Sequence, residues 1–143
     1  MSEALKYGVR FEAKAYDDIY LHLEGGRDID LHNFADYEGR TVQDGNLEMR
    51  WTIREPRTRG TKWWKPSWKQ IDVVIDVVKV TWIFEGATEL REQPRDPEMP
   101  LTEDSCLAGY IFQPEHSRFI FVWQSGAKLE FAARNSFALI QDC

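Results

Sequence analysis

The sequence is short of cysteine, of long apolar runs and of the motifs that mark common enzymes, and each shortage removes a class of function. Cys106 and Cys143 are its two cysteines. They make a poor disulfide framework, so reduced thiols and an intracellular, cytoplasmic location are expected. No apolar run approaches the roughly 20 residues of a spanning helix. The opening MSEALKYGVRFEAKAY has neither the basic n-region nor the apolar h-region of a secretory signal. No membrane association is expected. There is no phosphate-cradling glycine loop, no GxSxG elbow, no CxxC pair and no HExxH helix. Ser, His and Asp occur without the spacing of a triad, and Cys106 with His116 would form a nucleophile pair only if their strands are neighbours. Catalysis and a cofactor are therefore not expected. Positive charge is scarce too: 18 Lys and Arg against 24 Asp and Glu give a net charge of −6. That balance argues against general nucleic-acid affinity, because phosphates must be neutralised by cations.

Aromatic residues are plentiful, at 13% of the 143 positions. Together with β-branched residues they suit pleated surfaces. A chain of this length is expected to form one domain, residues 1–143, with a real core. Residues 5–15 alternate, with Leu5, Tyr7, Val9 and Phe11 on one face and Lys6, Arg10 and Glu12 on the other, the period of a half-buried strand. Ile19, Leu21 and Leu23 share a face with Ile29 and Leu31 if Glu24-Gly25-Gly26 forms a three-residue loop with Gly26 left-handed. That register sets His22 opposite Asp28, Tyr20 opposite Asp30 and Asp18 opposite His32. Residues 35–46, with Gly39 and Gly45, read as a loop. Residues 47–54 alternate cleanly, with Leu47, Met49, Trp51 and Ile53 inward, and Pro56 is expected to end that strand.

Residues 71–84, IDVVIDVVKVTWIF, are the longest apolar and β-branched run. β-Branched crowding at χ1 favours strand. A helix over 67–78 is the alternative, since Ser67 and Gln70 resemble a capping box and Ile71, Val74, Ile75 and Val78 share a helical face. Val80, Trp82 and Phe84 are out of phase with Val77, so a bulge is expected near Val78 and Lys79. Residues 89–105 carry three prolines and six acids and read as a long surface loop. Strands are expected at 106–112, 118–123 and 128–133, and a final short strand or turn at 135–139. The sum is an all-β fold, an antiparallel sandwich or barrel, with α+β as the form containing the one helix.

Two places offer binding chemistry. Residues 57–69, RTRGTKWWKPSWK, interleave three of the six tryptophans with Arg57, Arg59, Lys62, Lys65 and Lys69. Indole faces stack, and cations attract carboxylate or phosphate. Arg59, Lys62, Trp63, Trp64, Lys65 and Trp68 are accordingly the candidate partner- or ligand-binding residues; the competing reading is a loop whose indoles cap the core. Asp18, His22, Asp28, Asp30 and His32 on the hairpin are metal-ligand types. A flat sheet splays them, so a solvated face of cross-strand ion pairs is expected and no metal site is assigned.

The stretch VTWIFEGATELR, residues 80–91, with the later LEFAARNSFAL, residues 129–139, resembles small bacterial β-proteins of the toxin-immunity type. The resemblance covers about a third of the chain and implies a non-enzymatic inhibitor that binds one protein partner; it assigns no binding residue. The expected function is thus a non-enzymatic protein-binding domain. The alternative is a β-barrel that binds an apolar or sugar small molecule, with tryptophans at its mouth.

Overall fold

A computed structural model describes residues 3–11, 17–60 and 71–143, with the side chains of 57–60 and 71–73 excepted. The chain is all-β and antiparallel. Its strands are β1 (Leu5–Arg10), β2 (Tyr20–Leu23), β3 (Asp28–Asp30), β4 (Ala35–Gln43), β5 (Asn46–Gly60), β6 (Ile71–Glu85), β7 (Thr88–Gln93), β8 (Leu107–Gln113), β9 (Arg118–Trp123), β10 (Lys128–Ala132) and β11 (Asn135–Asp142). A curled seven-stranded sheet runs β3-β2-β1-β11-β6-β5-β4, and a four-stranded sheet runs β7-β10-β9-β8. The helix considered over 67–78 is not formed where the chain is described, since Ile71 onward is strand. No helix among the described residues is long and apolar enough to cross a membrane.

The core lies between the sheets and is largely aromatic. Trp82 and Phe84 project from β6 onto the second sheet. Trp82 meets Tyr110 and Phe121 edge-on at 5.1 and 5.5 Å, and Phe84 meets Phe119 and Phe131 at 4.8 Å each. These near-perpendicular rings set a positive ring edge on a negative face, which adds to the gain from burial. Leu47, Met49, Trp51 and Ile53 are buried as their alternation requires. Leu5, by contrast, is 56% exposed, because β1 enters the sheet with its first residue at the rim.

The β2–β3 hairpin has the expected register, Leu21 with Ile29, His22 with Asp28 and Tyr20 with Asp30. Leu23 donates to Arg27 across the loop, and Gly26 is left-handed. Four expectations need correction. Residues 35–43 are strand, not loop. The turn at Asp44-Gly45 has both residues at positive φ, the type I′ geometry that matches strand twist. A bulge between Tyr37 and Gly39 breaks the alternation that would have revealed β4. Residues 88–93 are also strand; all six are exposed, so β7 carries no buried stripe. The last strand is eight residues long and sits between β1 and β6. Its inner face holds Ser136, Ala138 and Ile140, mostly small, which blurs the period.

The fourth correction concerns β5 and β6. Pro56 does not end β5; it pairs with Ile75 within an unbroken register from Leu47↔Phe84 to Gly60↔Ile71. Arg54 N–H donates to Phe34 O, on the β4 side. Two residues on, the Pro56 nitrogen faces that same side, beyond the start of β4, where no donor is needed. Nor is there a bulge at Val78 and Lys79, since β6 stays in register there with both β5 and β11. The apolar residues change face instead: Val80, Trp82 and Phe84 face the core, whereas Ile75 and Val77 lie on the opposite face.

Candidate functional site

That change of face occurs where β6 leaves the sheet. β11 accompanies it as far as Asp142↔Val78, and β4 accompanies β5 as far as Ala35↔Ile53. Past Arg54 and Val77, six residue pairs, Glu55↔Asp76 to Gly60↔Ile71, form a two-stranded arm with no flanking strand among the described residues. At about 3.4 Å per residue the arm spans roughly 17 Å. Ile75 is 51% exposed on it, and Glu55 and Pro56 are exposed as well. Of the candidate binding residues, Arg59 belongs to β5 at the far end of this arm. Lys62, Trp63, Trp64, Lys65 and Trp68 fall in the segment joining β5 to β6 and lie outside the described residues. At the arm's base, Phe34 is 61% exposed and held at a φ of 57°. A bulky residue in the left-handed region is strained, and such strain clusters at functional sites. Phe34, Ile53 and Val78 line a depression of about 290 Å³ there.

The hairpin's polar face is not solvated as expected. His22 and Asp18 are buried. The His22 ring is bracketed by carboxylates, with Nε2 2.7 Å from Asp18 Oδ2 and Nδ1 2.8 Å from Asp28 Oδ1. Burial works against the charged ring, but the bonds to Asp18 and Asp28 outweigh it and raise the His22 pKa. Both ring nitrogens then donate, and the imidazolium acts as a structural cation. Arg10 adds a second cation to Asp28 at 3.2 Å. Asp18 also exchanges two backbone hydrogen bonds with Tyr110, and the Tyr110 hydroxyl donates to Tyr20 O, tying the hairpin to β8. His32 does not face Asp18; its Nδ1 lies 2.7 Å from Leu107 O and 3.7 Å from Cys106 Sγ. Cys106 thus neighbours His32 and not His116, which lies in the short 3-10 turn Pro114–His116. Burial, then Glu103 and Asp36, push the Cys106 thiol pKa up, the wrong direction for a nucleophile. Among the described residues no group of three or more His, Cys, Asp or Glu is placed to hold a metal.

The chain matches no protein-family model, no curated protein and no solved structure. Its sites must be read from their own chemistry.

One further feature escaped the sequence reading. A cleft of about 430 Å³ separates β4 from the ends of β7, β9 and β10. Tyr37 and Trp123 form an aromatic wall, with ring centroids 4.9 Å apart. Around it stand Arg40, Arg95 and Lys128. Arg40 pairs with Glu92 across the cleft, and Arg95 pairs with Asp104 at 2.8 Å. Lys128 makes no ion pair among the described residues. Burial pushes the Tyr37 phenol pKa up, against the pull of the nearby Arg40 guanidinium. The Trp123 indole N–H is buried without a hydrogen-bond partner among the described residues. Leaving such groups unpaired costs about 1–3 kcal/mol each. Reading 35–46 as a loop hid Tyr37 and Arg40. The Asp44-Gly45 turn signal, had it been weighted, would have made them strand residues.

Proposed function

We propose that this chain is a non-enzymatic binding domain that engages a protein partner through the β5–β6 arm. The observation that carries this reading is the switch of apolar face on β6. Inside the sheet Val80, Trp82 and Phe84 turn to the core; on the arm Ile75 turns the other way and is left in water. An isolated two-stranded hairpin is marginal in water, and an exposed apolar surface on one suits association. The joining segment adds three indoles and Lys62, Lys65 and Lys69, with no acidic residue between Arg57 and Lys69. Tryptophan and arginine are the residues that dominate binding energy at interfaces. The partner surface that complements the arm is therefore acidic with apolar pockets. Phe34, exposed at the base, extends the same contact region.

An immunity-type role, in which one partner protein is bound and neutralised, is the specific form of this reading. The resemblance of residues 80–91 and 129–139 supports it. Those residues build the framework, Trp82, Phe84, Leu129, Phe131 and Ala138 being buried, so the arm would supply the specificity that the shared framework does not. The tryptophan-lined barrel has less support, since Trp51 and Trp82 are enclosed in ring contacts.

The test is paired capture from the lysate of the native host. Tagged wild-type chain should retain a protein that the Trp63→Ala, Trp64→Ala, Trp68→Ala variant loses, while the melting temperature moves by less than about 2 °C. Equal retention by both forms, or a variant that unfolds, would remove the arm from the binding role.

A further inference from the structure

We infer that the cleft beside β4 is a second binding site, independent of the arm, and that it takes a small organic anion with a planar aromatic body. Its volume of about 430 Å³ falls within the range of small-molecule sites, roughly 300–1,000 Å³. Three properties of its wall select the ligand. The first is aromatic: the half-buried Tyr37 ring, backed by the buried Trp123 ring, gives a planar body something to pack against.

The second is unused hydrogen-bonding capacity. Among the described residues the Trp123 N–H has no hydrogen-bond partner, while the Tyr37 hydroxyl lies beside the Arg40 guanidinium. Among the described residues Trp51 and Trp82 also carry unpaired N–H groups, but those rings do not line the cleft. The Trp123 N–H itself has no accessible surface, so it reports on a ligand packed in the cleft that its ring lines rather than bonding to one directly. Ser125, fully buried, lines the same wall.

The third is charge. Arg40, Arg95 and Lys128 outnumber Glu92 and Asp104 around the cleft, in a protein with a net charge of −6. Lys128 makes no ion pair among the described residues, so an incoming carboxylate has a cation ready for it. Arg40 lies beside the Tyr37 phenol and is paired with Glu92. A carboxylate that reaches this point replaces Glu92 as the partner of Arg40. Glu92 is therefore a built-in competitor of the ligand, and Lys128 its first anchor. These roles predict mutational effects of opposite sign, which no purely structural role of the two residues would give.

The experiment titrates the full, ¹⁵N-labelled chain with 1-naphthoate and follows the Trp123 indole N–H signal, assigned by its loss in Trp123→Phe. Saturable movement of that signal is expected. Lys128→Glu should weaken binding about tenfold or more. Glu92→Gln should tighten it severalfold. Both residues are on the surface, and their variants should keep the wild-type melting temperature. 1-Naphthalenemethanol, which has the rings without the charge, should bind at least tenfold more weakly. The inference is overturned if the Trp123 signal does not move at millimolar naphthoate, if the neutral alcohol binds as well, or if the two variants leave the affinity unchanged. Loss of partner capture through the arm would leave every one of these results intact, so the two proposals fail separately.

Discussion

The same two strands live in two environments. Within the sheet, β5 and β6 are flanked by β4 and β11, and their inner residues, from Leu47 to Ile53 and from Val80 to Phe84, are buried. Past Arg54 and Val77 they keep their register but have no flanking strand among the described residues. Hydrogen bonding between two strands thus continues where burial stops, and only burial supplies the larger share of stability. What distinguishes body from arm is packing, and the distribution of mutational sensitivity should follow it.

The largest effect belongs to the body. Trp82→Ala removes a fully buried indole from contacts with Phe84, Tyr110 and Phe121. It should cost about 3–5 kcal/mol in urea unfolding. Ile75→Ala, seven positions earlier in the same strand, should cost less than about 0.5 kcal/mol. Similar losses at the two positions would erase the comparison.

His22 carries an effect of intermediate size and sharpens the comparison with pH. His22→Asn removes the cation between Asp18 and Asp28 and should cost about 2–3 kcal/mol near pH 6. The folded pKa of His22 is raised above its ordinary 6.5. The folded state therefore holds its proton more tightly than the unfolded chain does. The stabilisation is complete below about pH 6.5 and is lost as pH rises through the folded value. Urea titrations at pH 6 and at pH 8.5 should show the wild-type advantage over His22→Asn shrinking at the higher pH. A constant or growing advantage would mean that the ring is bound neutral.

How much of this was legible in sequence depended on whether one face was buried. The β2–β3 hairpin could be read from Tyr20 to Asp30, though not for Asp18 and His32 beyond it, because Leu21, Leu23 and Ile29 must share a side and two glycines fix the loop. The strand at 47–54 was equally plain. β7 was invisible because none of its residues is buried, and β4 because the bulge at Glu38 reverses its phase. On β6 the apolar residues occupy both faces in succession, which looks like a bulge until the end of β11 at Val78 explains it. The buried His22 was not legible because local alternation says nothing about how Asp18, tied to Tyr110 of β8, folds back onto the ring. The cleft could not be read at all, since Tyr37, Lys128 and Trp123 meet only through the packing of one sheet on the other. The tryptophan-rich segment was found by composition alone; it joins β5 to β6, and its residues past Gly60 lie outside the described residues.

The measurement that tests the central claim most directly is hydrogen exchange along β6 in the free protein. Amides of Lys79 to Phe84 should exchange only with global unfolding. Amides of Val74 to Asp76 should exchange by local opening, with protection lower by about a hundredfold or more. Uniform protection along the whole strand would contradict the account, because it would mean that the arm is packed as firmly as the sheet from which it emerges.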